Sequence, residues 1–247
     1  MTSEPMTPGR TGGDPFPLSW QRLLALSGAA FGVLLFVGFL LSGGDTPDYT
    51  APDRVWVKWA VDNESNNKAS MLLTLLAGYE FLHFAGFLRG AYGLAERAAR
   101  GFTRLAHIAF AGGIAGISGI VMAVGLIGAA SIPGSDTNAI VARSITEASA
   151  GPFLLASVGF AAFLTASAFI ILRTAVFARW TGVIAAIGAV GFVATFLTVL
   201  GDPDDNAFGI GYPVGFLALT VFSIATSIAS FRRVGIAADT ATAAPAR

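Results

Sequence analysis

The sequence contains no cysteine among its 247 residues. This absence excludes disulfide bridges, thiolate nucleophiles, iron–sulfur clusters, zinc sites built on cysteine and covalently attached c-type haem. The sequence also lacks a nucleophile elbow, a phosphate-binding glycine loop and an HExxH helix. It therefore predicts no bound cofactor and favours a protein that is not an enzyme.

Charged residues are scarce as well. They make up 12% of the chain, whereas 54% of the residues are hydrophobic and the mean hydropathy is +0.69. Soluble domains average about 25% charged residues, so this composition indicates that the main partner of the chain is the lipid bilayer. The formal net charge is zero, and without a basic stripe we expect no nucleic-acid partner.

Long apolar runs are what the sequence has in abundance. A membrane-spanning helix needs about 20 mostly apolar residues. Six segments qualify, namely 23–42, 69–88, 105–132, 152–172, 180–200 and 208–231. We predict an all-α fold, a bundle of six transmembrane helices within residues 20–235, between disordered cytoplasmic tails at 1–19 and 236–247.

The distribution of basic residues predicts the orientation. If the N-terminus is cytoplasmic, eleven basic residues flank the spans inside, and only Arg54, Lys58, Lys68 and Arg143 lie outside. This positive-inside bias places both termini in the cytoplasm. Thirteen of the fifteen basic residues are arginine, which suggests a GC-rich genome, and we expect a multi-pass protein of a bacterial plasma membrane.

The segment between the first two spans contains a short amphipathic stretch at 55–61 with Trp56 and Trp59. Tryptophan is enriched at membrane interfaces, which favours a helix lying on the outer membrane surface. A loop packed over the bundle is the alternative.

Glu80 is the one acidic residue within an apolar run. An ionisable group at membrane depth is expensive and marks a functional-site hypothesis. His83, three residues later, shares its helix face. Because lipid does not solvate a carboxylate, we expect this face to point into the bundle, where the pair locks helix packing. The face also carries Leu73, Leu76, Ala77, Phe84 and Phe87.

His107 is the only other histidine. It lies about 4.5 Å beyond Arg104, and His83 lies about 9 Å before Arg89, at 1.5 Å per helical residue. Both imidazoles therefore belong to the cytoplasmic half of neighbouring helices, and convergence of Glu80, His83 and His107 is a hypothesis. Such a cluster suits a proton relay, a metal site or, with two facing imidazoles, haem b.

Small residues form two further patterns. Thr220, Ser223, Ser227 and Ser230 make a polar stripe along the last span. Hydroxyls at this spacing usually mediate helix packing, and the alternative is the lining of a polar pathway. Gly112 and Gly116 form a GxxxG motif, which allows close helix approach either inside the bundle or between copies. A homo-oligomer or a membrane-protein partner is therefore a further expectation.

The chain resembles uncharacterised multi-pass membrane proteins of actinobacteria that are grouped as domains of unknown function. The likeness runs from about Trp20 to Gly235. It rests on the exit of the first span at 44–48, the aromatic pattern ending in Leu88 and Arg89, and the segments at 171–174 and 179–180. The resemblance implies six spans and carries over no activity or functional residue.

Three functions follow from these observations. The favoured one is an integral membrane protein with a structural or partner-binding role. The second is a small proton-linked transporter or channel, with Glu80 and His83 as the relay and the last-span hydroxyls as the lining. The third is a redox or metal protein that uses His83 and His107.

Overall fold

The computed structural model describes residues 18–42, 47, 50–99, 104–131, 138–201 and 210–243, with side chains described from 20 to 232. Its helices are α1 (Leu18–Leu41), α2 (Asp53–Asp62), α3 (Glu64–Ala98), α4 (Leu105–Ser131), α5 (Ala139–Ala148), α6 (Ala150–Thr174), α7 (Arg179–Leu197) and α8 (Gly211–Ala243). A short 3₁₀ turn, Thr198–Leu200, follows α7. The all-α prediction is confirmed.

Six of these helices are long and apolar enough to cross a membrane: α1, α3, α4, α6, α7 and α8. They match the six predicted segments. However, α3 begins at Glu64 and ends at Ala98, so it is longer at both ends than predicted. The predicted N-terminal tail lies almost wholly outside the described residues. The predicted C-terminal tail falls partly within α8 and partly outside them.

The six spanning helices form a closed ring in chain order. Each packs on the next, from α1 through α3, α4, α6 and α7 to α8, and α8 packs back on α1. An even number of spans returns the chain to its starting side. The orientation across the membrane stays a prediction, and the two ends of the ring are called inner and outer according to it.

Aromatic side chains fill the interior of the ring. Phe31 of α1 meets Phe81 of α3 edge-on at 4.7 Å between ring centroids. Phe81 also contacts Phe160 and Phe163 of α6 at 5.9 and 5.6 Å. Aromatic edge-to-face pairs add about 0.5–1.5 kcal/mol each to the stabilisation from burial. The middle of the bundle is therefore a packed apolar core.

Glycine allows α4 and α6 to approach backbone to backbone. A Cβ atom added to Gly112 would lie 2.8 Å from the carbonyl oxygen of Gly159, and one added to Gly116 would lie 2.7 Å from the ring of Phe160. A similar contact joins α7 to α8, since a Cβ on Gly191 would lie 2.6 Å from the amide nitrogen of Gly215. The GxxxG face thus lies inside this bundle.

The short helices α2 and α5 pack on each other over the outer end of the ring. α5 was not predicted, because its ten residues are too few for a span. The stretch at 55–61 is helical, as expected, but its tryptophans do not anchor in lipid. Trp56 and Trp59 are buried with Ala60 against Ala51 and Ile127. The prediction of a helix lying on the membrane surface is wrong in this respect, because the indole rings are enclosed by neighbouring protein residues.

Glu96 joins the inner ends of α3 and α4. Its carboxylate accepts a hydrogen bond of 3.0 Å from the backbone N–H of Ala106. That N–H belongs to the first turn of α4, where helix amides have no partner within the helix and a negative charge is favourable. Glu96 is buried. An acid outside the apolar run thus has a structural role that the sequence analysis missed.

We predict that Gly159→Ala destabilises the bundle by about 1–3 kcal/mol, the usual effect of overpacking. The new methyl group would lie 2.7 Å from the carbonyl oxygen of Gly112 and closer still to the backbone of Gly116. Thermal unfolding in detergent, or steric trapping in bicelles, measures the change.

The matched control is Gly86→Ala in α3, where no atom beyond the adjoining backbone of α3 and the two neighbouring residues lies within 4 Å of the added Cβ. Alanine is the better helix former by about 0.5–1 kcal/mol, so this variant should be as stable as the parent or slightly more stable. Equal stability of the two variants would show that the close approach of α4 and α6 is not required.

Candidate functional site

Glu80 and His83 lie in a groove between α1 and α3, which we call the Glu80 groove. Its volume is about 250 Å³. The residues that line it are Trp20, Leu23, Leu24, Leu26, Ser27 and Ala30 of α1 and Tyr79, Glu80 and His83 of α3. Both Glu80 and His83 are half-buried.

The expectation that this face points into the bundle holds only in part. Ala77 and Phe84 of the face are buried in the core, whereas Glu80 and His83 are half-buried and Leu76 is exposed. The interior face of α3 runs through Ala77, Phe81, Phe84 and Leu88, all buried. Phe81 and Phe84 make the ring contacts that fill the core, and Glu80 sits beside that face at the α1–α3 seam. A bundle interior is not the only place that shelters a carboxyl from lipid, because a seam between two helices gives partial shelter.

His83 is held by its own helix. Its Nδ1 atom lies 3.0 Å from the carbonyl oxygen of Tyr79, and its ring meets the Tyr79 ring edge-on at 4.7 Å between centroids. Because a carbonyl oxygen only accepts, Nδ1 carries the hydrogen and the Nε2 atom of a neutral ring is left as an acceptor. His83 is therefore oriented, with its second nitrogen free to receive a proton or a hydrogen bond.

The Glu80 carboxyl makes no hydrogen bond or ion pair with the residues that the structure describes, His83 included. Glu80 lies nine residues before Arg89, which corresponds to about 13 Å along the helix. The groove beside it is lined by the rings of Trp20 and Tyr79 and by aliphatic side chains of α1. A polar group placed there is costly unless another molecule satisfies it.

His107 does not join this pair. It is exposed on α4 and does not line the Glu80 groove. The hypothesis of a three-residue cluster is not supported, because the groove faces α1 whereas His107 is on the next helix of the ring. Among the described residues no three His, Asp or Glu side chains lie close enough together to hold a metal ion.

The last-span hydroxyls are buried and used in packing. Thr220, Ser223 and Ser230 donate to backbone carbonyl oxygens of their own helix, at 3.0, 2.8 and 2.7 Å. A hydroxyl that donates its hydrogen to a backbone carbonyl of its own helix is not free to line a polar pathway across the membrane. The arrangement therefore corresponds to the packing interpretation of the stripe.

Ser227 does more than its neighbours in the stripe. Its hydroxyl donates to the carbonyl oxygen of Ala25 and accepts from the backbone N–H of Ala29 at 3.0 Å. These are the carbonyl and amide that an α-helix ordinarily pairs with each other. Ser227 of α8 is thus inserted into one backbone hydrogen bond of α1. It ties α8 to α1, the contact that closes the ring.

Tyr79 and the α1 wall were missed as parts of the site. Tyr79 is 60% exposed and packs on His83, so it forms the outer rim of the groove. An aromatic residue directly before an intramembrane acid is a signal that sequence inspection can use. The α1 wall carries no such signal, because its residues are ordinary span residues.

The fold and this geometry give a first classification. The protein is a multi-pass integral membrane protein. No family model matches the chain, and no curated protein or solved structure matches it either. The resemblance to the actinobacterial membrane proteins stays a prediction.

We predict that Ser227→Ala lowers the free energy of unfolding by about 1–2 kcal/mol, because hydrogen bonds between membrane helices contribute about this much. Ser230→Ala is the control from the same stripe. Its hydroxyl bonds only to its own helix, so we expect a change below about 0.5 kcal/mol. Steric trapping in bicelles measures both. A larger loss for Ser230→Ala than for Ser227→Ala would contradict the role assigned to Ser227.

Proposed function

We propose that this protein is a non-enzymatic membrane protein that binds a second copy of itself through the Glu80 groove. The observation that carries the proposal is the half-buried Glu80 carboxyl, which has no partner in the described part of the chain and faces the groove between α1 and α3. The favoured setting is a bacterial plasma membrane, from the arginine-rich inner flanks.

The hydrocarbon core offers no hydrogen bonds, so an unsatisfied polar group there raises the free energy of the lone protein by several kcal/mol. A partner that brings a hydrogen-bonding group into the groove removes that penalty. A simple lipid chain does not. The occupant should therefore be a polar group carried at the same depth by another membrane helix.

A second copy supplies such a group. Glu80 and His83 are an acid and a base on one helix face, and each keeps bonding capacity that no described residue uses. In a two-fold dimer the same surface meets itself, and residue i contacts residue j while j contacts i. A shared proton then joins the Glu80 carboxyl of one copy to the Nε2 atom of His83 of the second copy, and the reverse contact forms at the same time.

The shape of the surface agrees with a self-complementary contact. Beside the groove, Tyr79 and Leu23 are 60% and 59% exposed, so each copy presents protruding side chains next to a recess. The alternative surface, the GxxxG face of Gly112 and Gly116, is occupied by α6 within one molecule. It is not available for a second copy unless the bundle opens.

We expect labelled protein in liposomes to form dimers that dissociate on dilution with lipid. Glu80→Leu and His83→Leu should each raise the dissociation constant about tenfold, which corresponds to about 1.4 kcal/mol of lost contact. Single-molecule subunit counting over a series of protein-to-lipid ratios measures this.

His107→Leu is the matched control, since it makes the same substitution at an exposed histidine on α4. It should leave the dissociation constant unchanged. Glu80→Leu should also make the isolated monomer more stable, because it removes a carboxyl that lipid does not satisfy. A parent protein that stays monomeric at every density, or a Glu80→Leu variant that dimerises as well as the parent, would refute the proposal.

A further inference from the structure

A second cavity lies inside the outer half of the ring, and we call it the outer cavity. Its volume is about 120 Å³, and α1, α3, α4, α6 and α8 all contribute to its wall. It shares no lining residue with the Glu80 groove. Below it, the interior face of α3 turns apolar at Ala77 and Phe81. The outer cavity is therefore separate from the proposed dimer surface.

One wall of the outer cavity is polar. Asn67, Ser70 and Thr74 follow one another along α3 at i, i+3 and i+7, a spacing that places them on one helix face, and they are only 2, 2 and 3% exposed. The Asn67 amide donates to the hydroxyl of Ser131 at 2.8 Å. The wall therefore begins with an anchored amide and continues with two hydroxyls.

The hydroxyls of Ser70 and Thr74 have no hydrogen bond to any residue that the structure describes, although both line the cavity. This sets them apart from the hydroxyls of α8, which bond to backbone carbonyls. Polar groups inside a protein are almost always satisfied by protein, water or ligand. These two hydroxyls open into one cavity, where a bound molecule with a polar group can satisfy both.

The opposite wall is aromatic. Phe39 packs on Phe216 at 4.8 Å between ring centroids, and Tyr212 stacks on Phe216 at 6.0 Å. No charged side chain lines the cavity. A polar strip facing aromatic rings suits a molecule with one polar edge and an apolar body, and the absence of charge selects a neutral one.

The size of the cavity limits the molecule further. A cavity of about 150 Å³ in another protein holds benzene. The outer cavity, at about 120 Å³, encloses slightly less than one such ring, so a ring-sized molecule fills it and extends into its opening. Phe39 is 45% exposed, so the aromatic wall reaches the surface of the bundle beside α1, at the level of the outer leaflet. A neutral amphiphile dissolved in the membrane therefore has a short route into the cavity.

We propose that the outer cavity binds a small neutral amphiphile, a ring or short chain of about six to eight heavy atoms with one hydroxyl or carbonyl group. The polar group bonds to the Ser70 and Thr74 hydroxyls, and the apolar body lies against Phe39, Tyr212 and Phe216. This site is additional to the proposed self-association and does not depend on it.

The probes are 4-fluorophenol and fluorobenzene, which share a ring and differ by the hydroxyl. Fluorine NMR of the full-length protein in nanodiscs should show saturable binding of 4-fluorophenol, displaced by unlabelled phenol. Fluorobenzene should bind about tenfold more weakly, because it leaves the two hydroxyls unsatisfied. Empty nanodiscs correct for partitioning into lipid.

Thr74→Val keeps the shape of the side chain and removes its hydroxyl, so it should weaken 4-fluorophenol binding about fivefold to tenfold. Fluorobenzene binding should stay the same or improve, which shows that the variant is folded. Thr165→Val, at an exposed position of α6, is the matched control and should bind both probes like the parent.

Three results would overturn the proposal. One is that 4-fluorophenol shows only non-saturable partitioning, which means that the cavity holds water alone. Another is that fluorobenzene binds as well as 4-fluorophenol. The third is that Thr74→Val and Thr165→Val bind 4-fluorophenol equally, because the hydroxyl assigned to recognition would then have no part in it.

Discussion

The close approach of α4 and α6 sets the width of this bundle. In lipid there is little hydrophobic gain from bringing apolar helices together, so association depends on van der Waals packing and on hydrogen bonds between helices. Gly112, Gly116 and Gly159 let the two backbones touch. Because these helix backbones are so close, the interior of the ring is narrow, and a few phenylalanine side chains fill most of it. Much of the interior is therefore apolar, and the polar groups of the bundle have few places to form hydrogen bonds.

The polar groups respond to that constraint in different ways. Ser227 bonds to the backbone of the neighbouring helix, and most other hydroxyls of α8 bond to their own backbone. Glu96 lies at the inner end of α3, where it bonds to the start of α4. Glu80 is displaced to the seam beside α1, and Ser70 and Thr74 face a cavity. The last three side chains keep bonding capacity that the described residues do not use, and both proposals rest on them.

The sequence predicts the elements of this fold much better than their mutual arrangement. Hydropathy is a property of each segment alone, so the six spans follow directly from run length, and the GxxxG spacing correctly indicates close packing. Helical periodicity also correctly places Glu80 and His83 on one face. It does not say which neighbour that face meets, because this depends on how α1 and α4 pack against α3.

The same limit explains the other errors. Trp56 and Trp59 were assigned to the membrane surface because the sequence does not reveal that α5 exists to pack beside α2. Asn67, Ser70 and Thr74 have a visible periodicity on α3, yet a cavity opposite them depends on residues from four other helices. Interactions within one helix are therefore predictable here, and sites shared between helices require the structure.

Cysteine cross-linking tests the central claim, that two copies meet at the Glu80 groove. The chain has no native cysteine, so one introduced cysteine reports one position. Leu76→Cys places the thiol one turn from Glu80, and Val190→Cys places it on α7, three helices away in the ring. Leu76 is 44% exposed and Val190 is 70% exposed. If copies met only by random collision in the membrane, cross-linking would therefore be faster at Val190. The account predicts that copper-phenanthroline oxidation at low protein density joins Leu76→Cys copies rapidly and Val190→Cys copies only slowly. Equal rates, or a faster reaction at Val190, would contradict it.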